Sequence, residues 1–332
     1  MAGQLFDNHG RRINYLRLAV TDRCNLRCFY CMPEEGIKYV ARQELLTYEE
    51  MVRMVSVLVP LGIEKIRLTG GEPFLRRDFM DFLRSIHQIP GLKQINLTTN
   101  GTLTEQHVPE LKAMGINSVN LSIDSLDRKR FHEITRRDSL PQVWSTFEAL
   151  INTGIETKLN AVVMDGRNID DILPMVELTK RYPVSVRFIE EMPFNGDVAH
   201  YEKLPWDHRR IMGHIREAYP TIEKLPDPPS STSYNYQIPG HQGTVGVIAA
   251  YSRTFCGTCN RIRITPQGLL KTCLYDQGVL NLRNLLRAGA TDEQLQDTFT
   301  SALQHRARDG WEAEGRQSRD PNARESMATI GG

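Results

Sequence analysis

The strongest constraint on the fold of this chain is an alternation of two periods. β-rich runs with a two-residue period occur at Asn14–Val20, Lys65–Thr69, Gln94–Thr98, Ser118–Ile123, Lys158–Val163 and Val184–Ile189. Between them lie stretches with helical period: Leu46–Leu58, Asp78–His87, Glu105–Met114, Asp127–Ile134, Pro141–Asn152 and Ile169–Arg181. The first opens on Thr47 with Glu50 three residues later, the spacing of a capping box. Strands separated by helices must cross over, so they pair in parallel with right-handed connections. An open doubly wound sheet and part of a (β/α) barrel both satisfy this pattern. Both put chemistry at the C-terminal ends of the strands.

Those ends are polar and Gly-rich. The first strand runs into a cysteine group, and the second ends in Gly70-Gly71-Glu72-Pro73. Thr98-Thr99-Asn100-Gly101, Ser122-Ile123-Asp124 and Glu190-Glu191-Met192-Pro193 close the third, fourth and sixth. No G-x-G-x-x-G follows the first strand and no P-loop motif occurs, so nucleotide-binding Rossmann and P-loop readings lose support. After residue 193 the alternation stops. Residues 226–233 read as a linker, followed by short strands at Val245–Tyr251, Arg261–Thr265 and Leu269–Leu274 and helices at Asn281–Arg287 and Asp292–Arg308. Three regions are expected: 1–193, 194–308, and a flexible polar tail, 309–332, ending in Gly331-Gly332.

Lys plus Arg number 41 and Asp plus Glu 40, a net charge of +1 that implies no general surface for nucleic acid. Arg306, Arg308, Arg316, Arg319 and Arg324 interleave with Asp309, Glu312, Glu314, Asp320 and Glu325, so that segment reads as a solvated charged tail. Arg136-Arg137 receive no assignment. No run of about 18 apolar residues occurs, and the N-terminal residues lack an apolar signal core, so a cytoplasmic location is expected.

The six cysteines form two groups, Cys24, Cys28, Cys31 and Cys256, Cys259, Cys273. In a reducing compartment such spacing points to metal or redox chemistry rather than disulfides. Three thiolates on a short loop without a local fourth ligand suit a [4Fe–4S] cluster with one iron left open. For the second group a zinc knuckle with His241 is the rival to a second open cluster.

Cys24-x3-Cys28-x2-Cys31, with Tyr30 before the last cysteine, resembles the signature of the radical S-adenosylmethionine (SAM) superfamily, and Gly70-Gly71-Glu72-Pro73 resembles its GGEP element. The resemblance implies a partial (β/α)6 TIM-like barrel over residues 1–193, with SAM chelating the open iron. Gly lets backbone approach the SAM amino group, and Glu72 can accept from it. Phe255 through Thr265, Leu270 through Leu274, Arg17 through Asn25, Phe188 through Pro193 and the terminal Gly-Gly further resemble the GTP 3′,8-cyclases of molybdenum cofactor biosynthesis across the chain, with Ala19 where Ser is common. That family implies a C-terminal α+β extension carrying a second [4Fe–4S] cluster.

Carried over position by position, the resemblance assigns Tyr30, Gly71, Ser122 and Met192 to SAM, and Arg17, Arg67, Thr98, Lys158, Arg261, Ile262 and Arg263 to GTP. It implies that a 5′-deoxyadenosyl radical removes the 3′ hydrogen of GTP, that C3′ attacks C8 of guanine, and that a further electron quenches the product radical. It also implies a low-potential electron donor, a homodimer, hand-off to cyclic pyranopterin monophosphate synthase, and a C-terminal tail that reaches the active site. Cations on strands of a buried parallel sheet independently call for an anionic partner, and the arginine fork binds two phosphate oxygens. A radical SAM enzyme for another substrate and a zinc-stabilised nucleic-acid-binding protein are the competing readings.

Overall fold

A computed structural model describes residues 3–192, 194, 204–316 and 325–331. Pro193, Arg319, Asp320, Arg324 and Gly332, named above, lie outside the described residues. Twelve strands are assigned among the described residues: β1 Tyr15–Ala19, β2 Lys65–Thr69, β3 Gln94–Thr99, β4 Ser118–Ser122, β5 Glu156–Val163, β6 Ser185–Glu190, β7 Glu223–Lys224, β8 Ser233–Gln237, β9 Thr244–Ile248, β10 Arg261–Ile264, β11 Leu269–Lys271 and β12 Leu280–Asn281. The helices are α1 Tyr48–Leu58, α2 Phe79–His87, α3 Val108–Ala113, α4 Arg128–Thr135, α5 Leu140–Thr153, α6 Ile172–Arg181, α7 His208–Ala218, α8 Leu282–Arg287, α9 Asp292–Leu303, α10 Gly310–Gly315 and α11 Met327–Ile330.

The chain forms two compact units. The first comprises Met1–Asn25, Ile37–Leu97 and Cys256–Gly332. Its strands run in the order β12-β11-β10-β1-β2-β3, with β10, β1, β2 and β3 parallel, β11 antiparallel to β10 and β12 antiparallel to β11. The expected Thr47–Glu50 capping box is formed at α1, the Thr47 hydroxyl accepting from the Glu50 amide at 3.2 Å while Glu50 accepts from the Thr47 amide at 2.7 Å. Met51, Met54, Val55 and Leu58 bury one face of that helix, as the 3.6-residue period demands.

The second unit comprises Leu26–Gly36 and Thr98–Phe255, with strand order β4-β5-β6-β9-β8-β7. Here β4, β5, β6 and β9 are parallel, and β8 and β7 form an antiparallel edge. Strict alternation of burial along β5 and β6 marks one face as core and the other as half-buried. The expected parallel strands, β1 to β6, thus alternate with helices, and the later segments extend the edges of β1 and β6. The fold is α/β with a C-terminal α+β extension.

Candidate functional site

In the first unit the sheet register builds a row of cations. Arg17 on β1 lies beside Arg67 on β2 and Arg263 on β10. Arg263 lies opposite Lys271 on β11, and Arg67 beside Asn96 on β3. One step back, Tyr15 stands between Arg261 and Lys65. Residues two apart on a strand share a face, so Arg17, Lys65, Arg67, Arg261, Arg263 and Lys271 all project to one side.

The electrostatics of this face are those of crowded positive charge. Burial, followed by the neighbouring Arg263 charge, drives Arg17 down to about 9, with the Tyr15 hydroxyl opposing and Arg67 and Arg261 adding to the fall. Arg263 is likewise lowered, by burial and then by Arg261. Burial disfavours the Tyr15 phenolate, yet Arg67 and Arg17 outweigh it and bring the phenol down to about 7. Arg67 is fixed by donating to the Tyr15 hydroxyl at 2.7 Å and to the Leu97 carbonyl at 2.6 Å. Lys271, fully buried and absent from the sequence expectations, is ion-paired to Glu325. Arg263 donates to the Gly331 carbonyl at 2.9 Å. Gly331 adopts φ +76°, and a Cβ there would meet the Ala19 methyl at 2.7 Å. Residues 325–331 of the tail are therefore seated against this face, with Ala328 and Ile330 buried.

Ile262 is 1% exposed and points away from its arginine neighbours into the core, so only its backbone is open to a ligand. Thr98 lies near the end of β3, and Ser122 ends β4 in register with Asn160. Lys158 pairs with Glu156 at 2.8 Å. Met192 lies just beyond β6, half-buried. At the end of that strand the fully buried Glu190 accepts from Ser252 through both its amide and hydroxyl, at 2.7 and 2.8 Å, and from the His208 amide at 2.7 Å.

Cys256, Cys259 and Cys273 all belong to the first unit, and all are free thiols. Burial raises Cys256, and burial raises Cys273 to about 11. Cys259 is the exception: burial acts to raise it, but the Arg261 and Arg306 charges override that and hold it at about 6. His241, the conceived zinc ligand, belongs to the second unit, where its Nδ1 is 2.8 Å from the Thr179 hydroxyl. Among the described residues no three His, Cys, Asp or Glu side chains are placed to hold one metal ion. Zinc needs four ligands at about 2 Å from a single centre; thiolates that each bind a different iron of a cluster stand farther apart. Three thiolates are a donor set that suits an iron–sulfur group with one iron left open.

Of the first group, Cys24 lies in the first unit and Cys28 and Cys31 in the second, all partly exposed. The segment preceding Cys24 is gripped by the loop after β2: the Gly71 amide donates to Thr21 O at 2.7 Å and the Glu72 amide to Arg23 O at 2.8 Å. A Cβ on Gly71 would lie 2.2 Å from Arg23 O, so only glycine fits. Glu72 is fully buried, and one of its oxygens accepts from the Phe74 amide at 3.2 Å, capping the following turn.

Around Cys28 and Cys31 the loop is held from its own unit. The Tyr30 hydroxyl donates to Asp124 Oδ2 at 2.8 Å. Burial, then the Asp124 charge, pushes Tyr30 well above its ordinary value, and burial pushes Asp124 up to about 6. The α4 end adds two backbone bonds, Arg27 to Thr135 O and Phe29 to Ile134 O. Arg136, unassigned from sequence, closes α4 in the left-handed region and donates to the Arg27 and Met32 carbonyls at 3.0 and 3.2 Å. Adjacent arginines give no sequence sign of such a bracket, because its acceptors are carbonyls about a hundred residues earlier.

One expectation is corrected. Arg306 does not belong to a solvated tail: it is 2% exposed and ion-paired to Asp7 at 3.0 Å. A buried arginine must satisfy its donors, and its partner here lies 299 residues away along the chain.

Comparison with known proteins agrees with this architecture. The model of the radical SAM superfamily matches residues 18–179, and that of molybdenum cofactor synthesis, C-terminal, matches 184–310. The GTP 3′,8-cyclase of Syntrophomonas wolfei is 42% identical, the alignment covering 94% of this chain and 98% of that protein. Molybdenum cofactor biosynthesis protein 1 of Mus musculus is 43% identical over 92% of this chain and 48% of its own length, so the chain spans about half of that relative. Among solved structures, Streptococcus suis SuiB superposes with a TM-score of 0.62 at 14% identity, covering 97% of this chain and 78% of that one. A second SuiB structure, bound to S-adenosylmethionine, gives 0.61 at 15%, covering 88% and 69%. The chain belongs to the radical SAM superfamily and, within it, to the family of the GTP 3′,8-cyclases of molybdenum cofactor biosynthesis.

Proposed function

We propose that this chain is a GTP 3′,8-cyclase, converting GTP to (8S)-3′,8-cyclo-7,8-dihydroguanosine 5′-triphosphate in the first step of molybdenum cofactor biosynthesis. The observation that carries the proposal is the cation row of Arg17, Arg67 and Arg263 in register on three strands. Like charges packed side by side disfavour one another, and a bound polyanion reverses that penalty. A triphosphate has the charge and the spread of oxygens for several guanidinium forks. In this reading Arg17, Arg67, Arg261, Arg263 and the Ile262 backbone, with Thr98 and Lys158, receive GTP.

Cys24, Cys28 and Cys31 would hold one [4Fe–4S] cluster and Cys256, Cys259 and Cys273 a second. When bound, the first cluster with SAM supplies a carbon radical able to take hydrogen from an unactivated C–H bond. The protein's part is to bind, orient and shield. The Gly71 backbone, Tyr30, Ser122 and Met192 receive SAM, and the Tyr30–Asp124 bond and the Arg136 bracket keep the cysteine loop in one conformation. A fixed loop limits side reactions, because an imprecisely held radical reaches the wrong hydrogen. A low-potential electron donor, a homodimer and hand-off to cyclic pyranopterin monophosphate synthase belong to the same reading.

The test is incubation of anaerobically reconstituted protein with SAM, GTP and a strong reductant. Formation of 5′-deoxyadenosine together with the cyclised nucleotide is expected. 5′-Deoxyadenosine with GTP returned unchanged refutes the substrate assignment, and zinc in place of iron refutes the radical reading altogether.

A further inference from the structure

Arg306 uses all five of its N–H donors, and four of the five bonds go to the segments that carry the second cysteine group. Nε donates to Thr272 O at 2.9 Å, next to Cys273. Nη1 donates to Cys259 O at 2.9 Å and to Asp7 Oδ2 at 3.0 Å. Nη2 donates to Arg261 O at 3.0 Å and to Cys259 Sγ at 3.2 Å. One buried cation therefore ties the strand that leaves Cys259 to the strand that reaches Cys273.

Asp7 holds that cation in place. Its Oδ1 accepts from the His9 and Arg11 amides, both at 2.9 Å, and its Oδ2 accepts from Arg11 Nε at 2.6 Å as well as from Arg306. Arg11 in turn donates to Cys256 O at 3.0 Å, Ala307 O at 2.9 Å and Arg308 O at 2.6 Å. The third cysteine is thus bound to the same network. Asp7 and Arg11 lie ahead of both matched family ranges.

We propose that Asp7, Arg11 and Arg306 are positioning residues for the second thiolate triplet, and that the Arg306 charge at Cys259 Sγ tunes the reduction potential of the cluster held there. The inference rests on the reading that this triplet binds iron and sulfide. Reduction adds negative charge to a cluster, and a cation donating to a ligand sulfur stabilises that extra charge, so Arg306 raises the potential. Lysine keeps the charge but, with one nitrogen, loses the bridge between segments.

The experiment uses full-length protein with Cys24, Cys28 and Cys31 replaced by Ser, so that only the second cluster is observed. Arg306→Gln, Arg306→Lys and Asp7→Asn are made in that background. Iron content, an EPR-monitored redox titration and hydrogen exchange of residues 256–261 in the unloaded chain are measured. In Arg306→Gln, at the parent's midpoint, the reduced-to-oxidised ratio should fall at least tenfold, about 59 mV for one electron. In Arg306→Lys the potential should stay near the parent's while exchange quickens at least tenfold. Asp7→Asn should quicken exchange with Arg306 still present, and it decides the matter if the Gln variant does not fold. An iron-loaded parent whose Arg306→Gln variant matches it in potential overturns the tuning role, and unchanged exchange in all three variants overturns the positioning role. A parent that binds no iron refutes the second-cluster reading, whereas the exchange results still judge the positioning network.

Discussion

Replacing Arg17 by Met separates ligand binding from stability in a single variant. Arg17 is drawn down from the ordinary guanidinium range to about 9, first because it is buried and then because Arg263, Arg67 and Arg261 crowd it. At about 1.4 kcal/mol per pH unit, that difference corresponds to roughly 5 kcal/mol of destabilisation in the folded protein. The side chain is partly open to solvent, so screening reduces the recoverable part to about 1–3 kcal/mol. Because the depressed value belongs to a base, the penalty is fully present below about pH 9 and fades as the pH rises beyond it toward the ordinary guanidinium range. Met keeps the aliphatic stem and removes the charge. The unliganded variant should melt higher at pH 7 by several degrees, on the order of 2–4 °C per kcal/mol. Its affinity for GTP should fall by roughly 30-fold or more, since each lost charge-assisted contact is worth about 2 kcal/mol or more. Differential scanning calorimetry in phosphate-free buffer and isothermal titration with GTP measure the two quantities. A variant that melts lower and binds GTP as tightly as the parent would show that the cation row is structural and refute the argument.

Three further outcomes follow from the geometry. Gly71→Ala forces a methyl to within 2.2 Å of Arg23 O; displacement of the loop should cost about 2–4 kcal/mol and abolish SAM binding, measured by denaturant melts and equilibrium dialysis. Asp124, raised to about 6 by burial, contributes stability that is full below about pH 4 and is lost as pH rises through 6; Asp124→Asn should flatten that slope, and identical pH–stability profiles for the two proteins would contradict it. Cys273→Ala should leave 5′-deoxyadenosine formation in place while cyclisation falls at least tenfold, as read by chromatography of both products.

Much of the first 190 residues was legible because local periodicity and tertiary structure agree there. The run Asn14–Val20 contains β1, the capping box is where Thr47 and Glu50 place it, and Ile262 alternates with its arginine neighbours as a strand residue must. The register was not legible, and register is what lines up Arg17, Arg67 and Arg263 from positions up to 246 residues apart. Lys271 escaped notice because a lone lysine in a short strand is ordinarily a solvent-facing residue. Arg306 was misread for a related reason: its immediate neighbours have the balanced charge of an exposed tail, and the carboxylate that draws it inward is Asp7. The insertion of β9 parallel beside β6, with β8 returning at the edge, likewise depends on pairing that local sequence does not encode.

The in-register stacking of guanidinium groups also bears on how the first unit comes together. Every docking of β10 onto β1, and of β1 onto β2, brings one positive side chain against another before any nucleotide is present. The step that closes this part of the sheet is thus opposed by repulsion that small multivalent anions relieve. Refolding in pyrophosphate or sulfate should outpace refolding in chloride of equal ionic strength, which makes anionic charge a participant in assembly as well as in binding.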